Sequence, residues 1–142
     1  MNNPNLLAPS TNTNDSIPLD PLWKNQIANN VNSDQKNETL VMSFLVEMIE
    51  NPYKMSSFID GVFAKLNAKK NELDPLQFKE FFDLTSKGMN APFLDGSYIM
   101  NQFHSISKSN PNAVSKAEMK NYVVKLYKSL VDYEKSCLSK PR

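Results

Sequence analysis

The sequence has little of several things that particular classes of protein need. With one cysteine, Cys137, the chain can form no internal disulfide and no zinc site. With one arginine, Arg142, it can make few of the bidentate contacts by which arginine binds phosphate. The three glycines are isolated, so there is no glycine-rich phosphate loop. The one histidine, His104, has no accompanying nucleophile motif. We therefore expect no enzyme activity, no cofactor and no small-molecule substrate.

Charge and hydropathy exclude further partners. Sixteen basic residues against fifteen acidic ones give a net charge of +1, which offers no electrostatic attraction for nucleic acid or anionic lipid. Mean hydropathy is −0.49, and the longest apolar run, residues 40–49, is interrupted by Ser43 and Glu47 and is too short to cross a bilayer. The first ten residues lack the basic and long apolar regions of a secretory signal. The expectation is a cytoplasmic protein without a membrane or nucleic-acid partner.

Residues 1–36 differ in composition from the rest of the chain. They are rich in Asn, Pro, Ser and Thr and poor in apolar groups that would offset the entropy of ordering them. This composition predicts an extended or disordered N-terminal arm, either a simple leader or a segment that lies along a protein partner. In the second case its spaced apolar side chains would bind the partner: Leu6, Leu7, Ile17, Leu19, Leu22 and Trp23.

From residue 37 onward the apolar residues follow a helical period, and no segment alternates with the period of a strand. The first helix is expected to end at Asn51-Pro52. Later helix starts are predicted from capping residues at Ser57 with Asp60, Asp74-Pro75 with Gln77, Asp95 or Ser97, and Ser115 with Glu118. The prediction is an all-α domain of five helices over residues 37–135, followed by a C-terminal tail over residues 136–142.

Two segments repeat one pattern: Phe-x-x-aliphatic, a polar loop, a single aliphatic residue and, four residues later, Gln or Glu followed by a large apolar residue. The landmarks are Phe63, Leu66, Leu73, Gln77 and Phe78 in one segment, and Phe103, Ile106, Val114, Glu118 and Met119 in the other. This spacing, over about residues 55 to 133, resembles the EF-hand helix-loop-helix of calmodulin, centrins and myosin light chains. The resemblance implies a paired EF-hand-like domain with one extra N-terminal helix.

The second loop lacks most of the oxygen ligands that calcium needs. An EF-hand loop of twelve residues supplies ligands from positions 1, 3, 5, 7, 9 and 12, with Gly at position 6. Here positions 1 and 3 are Ser107 and Ser109, position 5 is Pro111, position 6 is Asn112, and only Glu118 at position 12 is a carboxylate. We expect no metal site, with Ser107, Ser109 and Glu118 as vestigial positions.

The first loop is less suited still. It runs from Asn67 to Gln77, one residue short, and carries Lys69 and Lys70, whose charge would repel a cation. By the resemblance, the aliphatic residues Leu73 and Val114 would pair in a short two-stranded ladder that joins the loops. A pair of this kind can fold around a shared core without metal.

Three functions remain open. The first is a structural, calcium-independent interaction protein in a larger assembly; the resemblance implies a cytoskeletal setting, with ciliary or axonemal microtubules the first choice. The second is a weak calcium sensor or light-chain-like regulator that binds through Ser107, Ser109 and Glu118. The third is a scaffold subunit of some other large complex.

Overall fold

The computed structural model describes residues 17–32, 37–88 and 91–139. Within these ranges the chain forms six helices and one two-stranded sheet, which confirms the mostly helical prediction. In chain order the elements are α1 (Pro21–Asn32), α2 (Asn37–Glu50), α3 (Pro52–Lys65), β1 (Glu72–Leu73), α4 (Pro75–Gly88), α5 (Gly96–Ile106), β2 (Val114–Ser115) and α6 (Lys116–Ser139). No helix among the described residues is long and apolar enough to cross a membrane.

Helix α3 begins six residues earlier than the capping pair at Ser57 predicts. Its N-cap is Asn51, whose side-chain oxygen accepts hydrogen bonds from the N–H groups of Tyr53 at 3.1 Å and Lys54 at 3.2 Å. Pro52 occupies the first helical position, where its missing N–H costs nothing. The Asn-Pro pair therefore ends α2, as predicted, and starts the next helix at once, so Ser57 lies inside α3.

Two of the predicted capping boxes form. The N–H of Gln77 donates to the carboxylate of Asp74 at 2.8 Å, and the N–H of Asp74 donates back to the Gln77 side chain at 2.9 Å. The same reciprocal pair joins Ser115 and Glu118, at 3.1 and 2.9 Å. Each box satisfies N–H groups that the first turn of α4 or α6 would otherwise leave without a partner.

The two-stranded ladder between the loops is also confirmed. Strands β1 and β2 pair antiparallel, with Leu73 opposite Val114 and Glu72 opposite Ser115. Leu73 and Val114 are both fully buried. The ladder therefore joins the loops preceding α4 and α6 and points two apolar side chains into the shared core.

The core is built around aromatic side chains from four helices. Phe78 of α4 lies 5.2 Å from Phe82, 5.4 Å from Phe103 and 5.8 Å from Tyr122, measured between ring centroids. Trp23 of α1 stacks on Phe82 at 5.7 Å. The inclined contacts among the phenyl rings are the geometry that aromatic quadrupoles favour.

The expectation of an extended or disordered arm over residues 1–36 is wrong over residues 21–32, whereas residues 17–20 belong to no helix or strand. Residues 21–32 form α1, and its indole, Trp23, is fully buried and donates to the Ser86 hydroxyl at 3.2 Å. Asp20 and Pro21 explain the helix: the Asp20 carboxylate accepts from the N–H of Leu22 at 2.9 Å, and proline occupies the first helical position. The first sixteen residues of the predicted arm lie outside the described residues.

The predicted C-terminal tail, residues 136–142, is also more ordered over its described residues, 136–139, than the sequence predicts. Helix α6 continues through Ser139, so the tail expected from residue 136 is helical over its first four residues. Cys137 is half-buried and packs against the core. An apolar contact therefore extends the helix past the point where composition predicts its end.

Candidate functional site

Loop 1, residues 67–77, is closed by the side chain of its last residue. The amide nitrogen of Gln77 donates to the carbonyl oxygen of Leu66 at 2.9 Å and more weakly to that of Asn67 at 3.4 Å. The loop turns through three left-handed residues, Asn67, Lys70 and Asn71, with φ of 57°, 56° and 56°. The Gln77 amide thus joins the end of loop 1 to the carbonyl oxygens of Leu66, just before the loop, and of Asn67, its first residue.

Loop 2, residues 107–118, is also closed by the side chain of its last residue, Glu118, which accepts hydrogen bonds where Gln77 donates them. One carboxylate oxygen of Glu118, Oε2, accepts from the N–H groups of Lys108 at 3.1 Å and Ser109 at 3.0 Å, and from the Ser109 hydroxyl at 3.2 Å. The other, Oε1, accepts from the N–H of Ser115 at 2.9 Å. All four donors belong to the loop itself, so the carboxylate holds the beginning and the end of loop 2 together.

These hydrogen bonds set the ionisation of Glu118. Partial burial on its own would raise the pKa of this carboxyl, but hydrogen bonds from the N–H groups of Ser115, Ser109 and Lys108 and from the Ser109 hydroxyl outweigh it. The net pKa lies below the ordinary value because the donors stabilise the charged form. Glu118 is therefore ionised in loop 2 at neutral pH.

The structure brings two of the three vestigial positions together. Ser109 and Glu118 are in direct contact, whereas Ser107 is buried and its hydroxyl has no hydrogen-bond partner among the described residues. No group of three or more metal-ligating side chains occurs in the described part of the chain. What the arrangement does chemically is to close each loop with hydrogen bonds, by an amide donor in one case and a carboxylate acceptor in the other.

The residues expected to bind a partner differ in how far the structure buries them. Trp23 and Leu19 are buried in the chain's own core and are not available to another protein. Ile17 is half-buried, and its N–H donates to the Ser129 hydroxyl at 2.9 Å. Leu22 remains 40% exposed on the surface of α1. The other two members of the predicted set, Leu6 and Leu7, lie outside the described residues.

An apolar groove that the sequence does not predict lies between α2, α3 and α4, with α6 as its floor. It encloses about 510 Å³ and is partly open to solvent. Its apolar lining consists of Phe44, Leu45, Phe58, Val62, Phe81 and Leu84 on the walls and Tyr127 and Leu130 on the floor. We call this feature the α2–α4 groove. The sequence carries one signal for it, the apolar stripe of α2, but does not indicate which helices that stripe meets.

In comparisons with known proteins, the chain matches no family model, no curated protein and no solved structure. Its function is therefore inferred from the two loops, the surface of α1 and the α2–α4 groove.

Proposed function

We propose that the protein is a non-catalytic interaction subunit, built on a degenerate EF-hand-like pair whose loops close without calcium. The observation that carries this proposal is the closure of both loops by their own last side chains. Gln77 donates to the Leu66 carbonyl in loop 1, and Glu118 accepts from four donors in loop 2. The resulting scaffold needs no ion to hold its helix pairs in place.

The same contacts disfavour the alternative of a calcium sensor. Calcium takes six to eight oxygen ligands, of which a bidentate glutamate is the strongest in this kind of loop. In loop 2 both oxygens of Glu118 already accept hydrogen bonds, and an incoming cation would have to displace them. In loop 1 the corresponding group is the Gln77 amide, whose N–H hydrogens present positive partial charge to the carbonyls. A cation there would meet a donor in place of a ligand.

Calcium titration separates these two functions. We expect the thermal unfolding curve of the full chain to be the same in millimolar calcium and in chelator, and isothermal titration to give no heat of binding at micromolar calcium. Heat at micromolar calcium that Glu118→Gln abolishes would contradict the proposal and establish the sensor.

The proposed partner is a protein in a larger assembly, and the resemblance to centrins and light chains favours a cytoskeletal one, with microtubules of cilia or axonemes first. Leu22 is the described member of the expected contact set that stays on the surface. An exposed leucine on a helix that is anchored by a buried tryptophan is suited to protein contact, because the helix is ordered before the partner arrives.

Co-sedimentation with purified microtubules tests the cytoskeletal setting, and a matched pair of surface variants tests the contact. Leu22→Asp should weaken binding, whereas Leu76→Asp, which changes a leucine that is 75% exposed on α4, should leave it unchanged. Equal binding by both variants would remove α1 from the interface. No sedimentation of the wild-type chain would overturn the microtubule assignment and favour a scaffold role in another complex.

A further inference from the structure

The α2–α4 groove has the size and lining of a small-ligand site. Sites of this kind enclose about 300–1,000 Å³ and are lined mainly by apolar and aromatic side chains with a few polar groups. The groove encloses about 510 Å³, and three of its lining residues carry polar groups: Lys65 at the end of α3, Thr85 on α4 and the hydroxyl of Tyr127 on α6. The Thr85 hydroxyl is already engaged, since it donates to the Phe81 carbonyl at 2.9 Å.

Lys65 is the one charged residue on the lining. It lies in the last turn of α3 and is exposed, and it takes no part in the ion pairs found within the described ranges. Val62 and Phe58 precede it along the same helix and also line the groove. The rise of an α-helix places Phe58 about 10 Å from Lys65 along the axis. The groove is therefore apolar along its length and cationic at one end.

Away from the last turns of α3 and α4, which hold Lys65, Thr85 and Gly88, the walls offer no backbone hydrogen bonds to an extended chain. All three walls are helices, whose backbone N–H and C=O groups are paired within the helix apart from those of the terminal turns. Over the middle turns, an extended peptide in the groove would leave its own backbone groups without partners, which is costly in apolar surroundings. The surroundings favour an occupant that is apolar along its length and carries one negative group at its end.

We propose that the α2–α4 groove binds a long-chain acyl carboxylate, with the alkyl chain against Phe58, Val62, Phe81 and Leu84 and the carboxylate at the Lys65 ammonium. The complementarity is of two kinds. The alkyl chain replaces water against aromatic and aliphatic walls, and the single anionic head meets the single lining cation. This binding is independent of the interaction role proposed above.

A series of alkanoates of increasing chain length measures the contribution of the alkyl chain to the binding affinity. Isothermal titration of the full-length protein with sodium alkanoates from hexanoate to dodecanoate, below their micelle concentrations, should show affinity rising about fourfold per added methylene until the groove is full. The absence of dodecanoate binding would overturn the proposal, as would an affinity that does not depend on chain length.

Two lysine variants measure the contribution of the carboxylate to binding. Lys65→Gln should weaken dodecanoate binding about two- to fivefold, the range of a partly exposed ion pair, and leave dodecanol binding unchanged. Lys87→Gln removes a lysine from the last turn of α4 that does not line the groove, and it should change neither. Equal effects of the two variants on dodecanoate would contradict the placement of the carboxylate.

Two glycine variants, one on the groove lining and one outside it, add bulk without a clash at the β-carbon. Gly88 lines the groove, and a β-carbon built there meets nothing within 4 Å; Gly61, in α3, is equally open but lies outside the lining. Both variants Gly88→Leu and Gly61→Leu should fold, as circular dichroism can verify, and only Gly88→Leu should lower dodecanoate affinity, by tenfold or more. Equal affinities for the two variants would place the ligand elsewhere. A ligand-free dimer that light scattering detects and Gly88→Leu dissociates would assign the groove to a second copy and overturn the proposal.

Discussion

Replacing Gln77 by glutamate tests the closure of loop 1 more directly than any other single change. The variant Gln77→Glu keeps an oxygen that can accept from the Asp74 N–H, so the capping box of α4 is retained. It removes the amide nitrogen that donates to Leu66 at 2.9 Å and Asn67 at 3.4 Å. The hydrogen bonds that are lost are thus only those that close the loop, and the substitution adds one negative charge at the same place.

The size of the effect depends on these two contacts. A typical intramolecular hydrogen bond contributes about 1 kcal/mol, and leaving an acceptor without a partner costs about 1–3 kcal/mol when the group is buried. The first contact is partly buried and the second is exposed, so a total of about 1–2 kcal/mol is expected. The introduced carboxylate adds repulsion against two carbonyl oxygens, which acts in the same direction.

Urea denaturation at pH 7 measures the loss as a lower midpoint at unchanged slope. A second measurement near pH 4 should show a smaller deficit, because protonation of the introduced carboxyl removes its charge and restores a donor toward the carbonyls. The control is Gln77→Met, which removes both the closure and the capping contact and should show a deficit that does not shrink on acidification. Wild-type stability of Gln77→Glu at pH 7 would refute the view that the amide holds loop 1 closed.

Three further predictions concern loop 2, the left-handed turn of loop 1 and α1. The pKa of Glu118 is lowered in the folded state, so its contribution to the free energy of unfolding is present above the ordinary value of 4.5 and is lost as pH falls toward the lower folded value. Glu118→Gln should therefore lower the free energy of unfolding by about 1 kcal/mol at pH 7. In urea titrations at a series of pH values, the variant should also lose less stability than the wild type on acidification. Lys70→Gly, at a φ of 56°, should raise the free energy of unfolding by about 0.5–1 kcal/mol, whereas Lys69→Gly, at a neighbour without positive φ, should lower it. Trp23→Ala should cost about 3–5 kcal/mol by thermal or urea unfolding, and a loss below 1 kcal/mol would show that α1 is not part of the core.

The capping and pairing of the loops are predictable from sequence because the signals are local or repeated. Asp74 and Gln77 are three residues apart, as are Ser115 and Glu118, and both boxes form. The pairing of Leu73 with Val114 is what the EF-hand resemblance of the repeated segments implies, and the ladder forms at that position. The closing contacts of Gln77 and Glu118 within their loops were not predicted, since the EF-hand pattern assigns those two positions to metal ligation and carries no information about hydrogen bonds to the loop backbone.

The N-terminal segment shows how one residue type can mislead. Pro21 counts as a helix breaker in composition, yet Asp20-Pro21 is the same start signal as Asp74-Pro75, from which a helix is correctly predicted. The difference lies in the residues before each proline. Residues 1–20 are rich in Asn, Pro, Ser and Thr, which predicts disorder around Pro21, although apolar residues follow the two prolines at similar density. The burial of Trp23 depends on Phe82 and Ser86, about sixty residues later in the chain. Composition carries no information about that contact.

The groove and the loops differ in what a sequence can disclose about them. A loop is closed by residues within about ten positions, so its chemistry can be worked out from spacing once the partners are sought among backbone groups. The groove depends on Phe44, Phe58 and Tyr127, which come from three helices and lie within 6.4 Å of one another by ring centroids. Each of these residues belongs to the apolar stripe of its own helix and carries no mark that distinguishes a groove wall from a core position. An apolar stripe predicts that a helix packs against another helix. The size of the space left between packed helices depends on their packing angles, which the periodicity of the sequence does not specify.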